Sequence, residues 1–109
     1  MKVAVATEGN VVAGHFGRCS SYMIIELDDG SIIGREELEN PGHEPGFLPG
    51  FLAEKGINCI ITGGMGPKAA QLFNNYAIKT VIGASGQVDQ VIEDFLSGTL
   101  ETGPSMCDH

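Results

Sequence analysis

Asn58-Cys59-Ile60-Ile61-Thr62-Gly63-Gly64-Met65-Gly66-Pro67-Lys68-Ala69-Ala70-Gln71-Leu72-Phe73-Asn74-Asn75-Tyr76 is the stretch whose reading decides the fold. An apolar run, Cys59 to Thr62, enters a turn rich in glycine at Gly63, Gly64 and Gly66. Pro67 then opens a segment with apolar residues at Ala69, Leu72, Phe73 and Tyr76. This is strand, tight loop, helix. Proline fits the first helical position because its missing N–H would have no intrahelical partner there, and glycine lets the backbone come close to a guest. The unpaired N–H groups that begin the helix make this end a candidate anion site.

Downstream, Ile78 to Gly83 reads as a strand and Val88 to Leu96 as a helix, with Val88, Val91, Ile92, Phe95 and Leu96 on one face and Gly98 as terminator. Upstream, Phe47 to Lys55 reads as a short helix stopped by Gly56, with Pro49 near its start. Asn40 to Gly46, which holds His43, carries prolines and glycines and is read as irregular. Ser21 to Leu27 and Ser31 to Asn40 are strands joined by Asp28-Asp29-Gly30, a hairpin signal that makes them antiparallel. Arg35, Glu36, Glu37 and Glu39 mark the second of them as an exposed edge. Lys2 to Ala6 is a near-continuous apolar strand buried on both faces. The thirteen residues from Thr7 to Cys19 form a loop without periodicity, long enough in so small a chain to suggest function.

The resulting order is β, β, β, α, β, α, β, α. Its second half alternates, which calls for parallel strands and right-handed crossovers. The expectation is an α/β three-layer sandwich with a five-stranded mixed sheet of order 3-2-1-4-5, strand 2 antiparallel to the rest. The loop after the first strand and the glycine turn then leave the same end of the sheet side by side, forming the crevice where open α/β sheets bind ligands.

At 109 residues one domain is expected, spanning residues 1–98, with 99–109 a mobile tail. A net charge of −8 with only six Lys and Arg argues against sequence-independent nucleic-acid binding. No apolar run approaches the roughly 20 residues that cross a bilayer, and Met1-Lys2 leads straight into a strand, so a cytoplasmic address without membrane contact is expected. The three cysteines, Cys19, Cys59 and Cys107, are odd in number and far apart, which suits a reducing compartment.

The glycine turn matches G-x-G-x-x-A at Gly64 to Ala69, a weak dinucleotide signal that lacks the acidic residue after the next strand. It leaves two readings open, nucleotide or phosphorylated-ligand binding and a tight turn alone. His15, Cys19, Cys107 and His109 are soft or imidazole donors suited to zinc, copper, iron or iron-sulfur centres, without a C-x-x-C or H-E-x-x-H spacing. Cys59 falls inside a strand and reads as core. No G-x-S-x-G elbow occurs and no convergent catalytic set is visible, so an enzyme is not expected.

Val3-Ala4-Val5-Ala6, His15-Phe16-Gly17-Arg18 before a Tyr-containing strand, Asn40-Pro41, Ile61-Thr62-Gly63-Gly64-Met65-Gly66-Pro67-Lys68-Ala69 and Ile78-Lys79-Thr80-Val81 together resemble the dinitrogenase iron-molybdenum cofactor biosynthesis family. These are small nitrogenase accessory factor-like domains with a ribonuclease H-like fold. The resemblance covers nearly the whole chain. It implies a carrier or chaperone that binds an iron-sulfur or iron-molybdenum-sulfur cluster, or its precursor, and meets a donor or acceptor protein. It further implies that His15, Phe16, Gly17, Arg18, Gly63, Gly64, Met65, Gly66 and Lys68 contact the cluster. His15 is then the first metal ligand, with Cys19, Cys107 and His109 as further ones. A metal-free interaction or regulatory module using the same crevice is the alternative.

Overall fold

Successive residues of a strand face opposite sides of the sheet, so Val3-Ala4-Val5-Ala6 needs cover on both faces. In the computed structural model, which describes residues 1–40, 47–98 and 100, that cover comes from two helical layers. Strand β1 (Lys2–Glu8) lies in mid-sheet, with Ala4 and Ala6 in one core cluster and Val3 and Val5 in the other. It pairs antiparallel with β3 (Ser21–Asp28), from Lys2 opposite Glu26 to Thr7 opposite Ser21. On its other side it pairs parallel with β5 (Cys59–Thr62), from Val3 opposite Cys59 to Val5 opposite Ile61. β4 (Ser31–Glu39) extends the sheet past β3, and β6 (Lys79–Ile82) extends it past β5, in the order β4-β3-β1-β5-β6.

The mixed sheet and this order agree with the sequence expectation, but the strand count does not. A sixth strand, β2 (Val11–Val12), pairs antiparallel with β1 through Thr7 opposite Val12 and Glu8 opposite Val11. Part of the expected irregular loop is therefore a hairpin. Gly9, at φ +64°, with Asn10 makes its two-residue turn, a Gly-Asn signal that the two short flanking segments conceal. The Asp29-Gly30 turn is as expected: both residues have positive φ, 51° and 76°, which a two-residue hairpin of this hand requires. Between Glu26 and Leu27 the register shifts, leaving Ile33 without an opposite residue and 60% exposed on the edge strand.

Helices α1 (Phe47–Glu54) and α2 (Pro67–Asn75) cover one face. There Leu48, Leu52 and Phe73 meet Tyr22, Ile24 and Ile60. Helix α3 (Val88–Ser97) covers the other, with Val88, Val91 and Ile92 against Ile25, Cys59 and Ile61. Each end has a local cause. Gly56, at φ +82°, ends α1 with Ile57 donating back to Leu52 O at 3.2 Å, and Gly98, at φ +77°, ends α3. Leu52, Phe73 and Tyr22 are fully buried, and truncating Leu52 to Ala costs about 2–5 kcal/mol.

Besides Asp29, whose hairpin turn calls for it, one described non-glycine residue has a positive φ. Ala77, joining α2 to β6, sits at φ +59°, where a Cβ is disfavoured. Ala77→Gly is expected to raise stability by about 0.5–1 kcal/mol, the relief of strain outweighing the added freedom of the unfolded chain. The check is an upward shift of the urea midpoint at unchanged slope; an unchanged or lower midpoint would contradict it.

Candidate functional site

Because β1 and β5 are parallel neighbours, the segments that follow them emerge at the same sheet end. Main-chain bonds then join these segments directly. Gly63 N–H donates to Ala13 O at 2.9 Å and Phe16 N–H to Gly64 O at 2.9 Å, while Ala13 N–H returns to Ala6 O at 2.8 Å. The two expected walls of a crevice thus meet edge to edge as one rim. A third segment, after β6, supports it: Gly83 N–H donates to Thr62 O and Gly63 O, and Val12 N–H donates to Gly86 O at 2.9 Å.

The role of Gly63 follows from this contact. Its φ is not in the left-handed region; a Cβ there would lie 2.8 Å from Ala13 O and 3.0 Å from Gly14 Cα. The glycine is needed for close approach to the chain's own neighbouring loop. Thr62 reinforces the seam. Its fully buried hydroxyl lies 3.3 Å from Gly64 O and 3.5 Å from Ala13 O. Thr62 escapes sequence reasoning because one Thr at the end of an apolar strand has no distinctive pattern.

On one side of the rim His15, exposed and extended, precedes a short 3-10 turn, Phe16–Arg18. Phe16 is the turn's anchor: its ring lies edge-on to Phe73 at 5.0 Å and tilted to Tyr22 at 5.6 Å. The Tyr22 hydroxyl donates to Phe16 O at 3.1 Å. Arg18 is exposed and Gly17 half-buried. On the other side Gly63, Gly64 and Met65 are buried, Met65 within the α1–α2 core, and Gly66 is half-buried. Gly66 is the N-cap of α2 with no side-chain cap bond, Pro67 follows at the helix start, and Lys68 is exposed. The two joined turns carry between them an exposed imidazole, two exposed cations and a helix N-terminus, groups whose chemistry suits an anion with soft character.

Cys19 is placed differently. It is buried with Phe16 and Tyr22, and Asn40 Nδ2 is 2.9 Å from its carbonyl oxygen. Burial pushes its thiol above the ordinary value, only partly offset by the Tyr22 hydroxyl and the main chain at Thr7. Burial, with the neighbouring Cys19, also drives the Tyr22 phenol well up. Cys59, as expected, is core, and burial raises its thiol too. Nearby, Ser20 Oγ donates to Glu8, and Thr7, Ser21 and Glu37 form a side-chain chain with links of 2.8 and 3.0 Å. Among the described residues no three His, Cys, Asp or Glu side chains converge as a metal cage. Cys107, His109 and the rest of the 101–109 segment, like His43, lie outside the described residues.

Residues 1–98 match the family described as dinitrogenase iron-molybdenum cofactor. An uncharacterised protein of Methanocaldococcus jannaschii, MJ0580, is 36% identical over 106 residues, covering 93% of this chain and 90% of that one. The crystal structure of PH0822 superposes with a TM-score of 0.91 at 30% identity, covering 97% of each chain. The apo form of the orange protein from Desulfovibrio gigas has the same fold, with a TM-score of 0.78 at 24% identity over 95% of this chain and 93% of that one.

Two outcomes follow from this geometry. Gly63→Ala forces a methyl group against main-chain atoms and is expected to cost about 1–3 kcal/mol, measured by urea unfolding; a loss below about 0.5 kcal/mol would mean that the seam yields. Cys19 and Cys59 stay protonated in the folded chain at a pH where the unfolded chain ionises. The folded state then binds more protons, so stability is expected to fall as pH rises above about 8.5. Urea midpoints between pH 7 and pH 10 test the slope, and Cys19→Ala with Cys59→Ala should flatten it.

Proposed function

Because this chain belongs to the dinitrogenase iron-molybdenum cofactor family, we propose that it binds an iron-sulfur or iron-molybdenum-sulfur cluster, or its precursor, at the rim. It passes that cargo between a donor and an acceptor protein in the cytoplasm, as a carrier and not as an enzyme. The ribonuclease H-like assignment of the sheet belongs to the same reading. The observation that carries it is the joining of the His15 turn to the Gly63–Lys68 turn by the Gly63–Ala13 and Phe16–Gly64 main-chain bonds. These bonds join the turn that carries the exposed His15 to the turn that opens α2, which supports reading both as one site.

Each group has a part. His15 Nδ1 or Nε2 supplies a lone pair to a cluster metal in place of a labile ligand. The first N–H groups of α2, with the Arg18 and Lys68 charges, lower the energy of the cargo's anionic sulfide or oxo face. Gly17 and Gly66 keep that surface low. Phe16 and Met65, both buried, act from beneath by holding the two turns in place. Cys19 stays in the core as a protonated thiol and becomes a ligand only if the turn opens. Cys107 and His109 are further candidate donors.

Few protein donors suit a carrier, because each strong ligand added slows release to the acceptor. A single imidazole with electrostatic support holds the cargo and lets it go. The test is anaerobic reconstitution with iron, sulfide and molybdate, followed by desalting, elemental analysis and visible absorption. Wild-type protein is expected to retain metal and develop absorbance. His15→Ala should lose or alter the bands, whereas Lys68→Ala should keep the bands and weaken binding roughly 3–5-fold at low salt. Wild-type protein that retains no metal, or His15→Ala with unchanged bands, refutes the reading; the first result favours a metal-free interaction module.

A further inference from the structure

The loop that carries His15 has an inner and an outer part held by different means. The inner part, Ala13 to Phe16, is bonded to the glycine turn through main-chain N–H and C=O groups. The outer part has little bonding of its own. Its 3-10 turn has one internal bond, Arg18 N–H to His15 O at 3.3 Å, long for an N–H···O bond. A single turn of this kind does not hold itself.

Its far end is tied to β1, where Ser20 N–H donates to Thr7 O at 3.1 Å and Ser20 Oγ to Glu8; between, it is held from Asn40, the residue that follows β4. Asn40 Nδ2 lies 2.9 Å from Cys19 O and 3.4 Å from Gly17 O. Its main-chain N–H donates to Ser20 O at 3.0 Å. One residue thus serves three carbonyl groups of the outer turn. The amide is the short side chain that offers two N–H donors from one atom; here one makes a 2.9 Å bond to Cys19 O and the other reaches toward Gly17 O at a longer 3.4 Å. Asp has the same shape without those donors and would set a carboxylate against carbonyl oxygens. The Tyr22 hydroxyl on Phe16 O is the second prong, from the neighbouring strand.

Asn40 is tied to the sheet as well. The residue before it, Glu39, is the last of β4 and lies opposite Ser21 in the β3–β4 ladder. The end of the edge strand therefore dictates where the Asn40 amide sits, and the amide dictates where the turn sits.

We propose that Asn40 is a positioning residue: it locks the Gly17–Ser20 turn in the arrangement that presents His15 at the rim, and so sets affinity for a metal–sulfur ligand without touching it. This rests on the cluster-carrier reading. Removing the amide leaves the Cys19 and Gly17 carbonyls to find water, while the main-chain bond to Ser20 O stays. The turn then loosens while the Gly63–Ala13 seam, closed by its own main-chain bond, remains.

The test uses the full chain with Asn40→Ala and the isosteric Asn40→Asp, first free of ligand. Amide exchange of Arg18 and Ser20 is expected to rise roughly tenfold in both variants, while that of Gly63 and Phe16 stays within about twofold of wild type. The His15 imidazole proton resonances should shift. Affinity for tetrathiomolybdate, followed by its visible absorption, should drop about tenfold, as for other groups that orient a ligand from behind. Unchanged exchange and unchanged His15 resonances overturn the proposal, as does Asn40→Asp behaving like wild type. A loosened turn with unchanged affinity also overturns it. Wild-type protein that binds neither tetrathiomolybdate nor a reconstituted cluster refutes the carrier reading and the affinity half of this proposal, while exchange and His15 resonances still decide the latch.

Discussion

The contact on which the site depends is the approach of the Gly63 backbone to Ala13 and Gly14, closed by a 2.9 Å N–H···O bond and with no room for a Cβ. Parallel pairing of β1 with β5 makes this approach unavoidable. Both strands end on the same side, and whatever follows them must pass within a strand spacing. The contact also joins the two halves of the chain, the antiparallel hairpin half before residue 40 and the alternating half after residue 47. Thr62, Gly64 and the segment from Gly83 converge on the same seam. The rim is therefore joined through the main chain where the glycine turn meets the inner loop, and through the Asn40 and Tyr22 side chains at the outer turn.

Charge has to be weighed by distance. The chain is strongly acidic, yet at physiological ionic strength the screening length is about 8 Å. Exposed acids far along the edge strand, such as Glu36, therefore bear little on an anion held near Arg18 or Lys68, whereas Glu8 and Glu39 flank the His15 turn through Ser20 and Ser21 and oppose it. The acids have structural uses of their own. Glu37 accepts from Ser21, which is bonded to Thr7, and Asp89 pairs with Arg35 at 2.8 Å across the α3 side of the sheet. With both partners exposed, the Arg35–Asp89 pair adds at most about 1 kcal/mol.

The three cysteines show how far composition carries. Cys59 reads as core because it stands in an unbroken apolar run, and it is core. Cys19 ends the long loop that also holds His15 and reads as a ligand candidate, yet it is buried in the α1–α2 core with Phe16 and Tyr22. The flanking residues do not reveal this, because the direction of a side chain after a loop depends on how the loop turns. Met65 poses the same problem: it lies in the glycine turn but points into the core.

Sequence alone determined the element order, the Asp29-Gly30 hairpin, the strand order, the proline start of α2 and the glycine ends of α1 and α3. Each rests on periodicity, turn chemistry or handedness, which act over a few residues or constrain any chain of this pattern. The family was legible because several such local motifs recur in one order. Only the tertiary structure decided that Gly63 is needed against Ala13, that Cys19 and Met65 are core, that Thr62 and Asn40 hold the rim, and that Gly9-Asn10 makes a hairpin of two-residue β2. Most of these turn on distances between residues 20 to 50 positions apart, 13 with 63 or 19 with 40, and such pairs meet only after the sheet has brought them together.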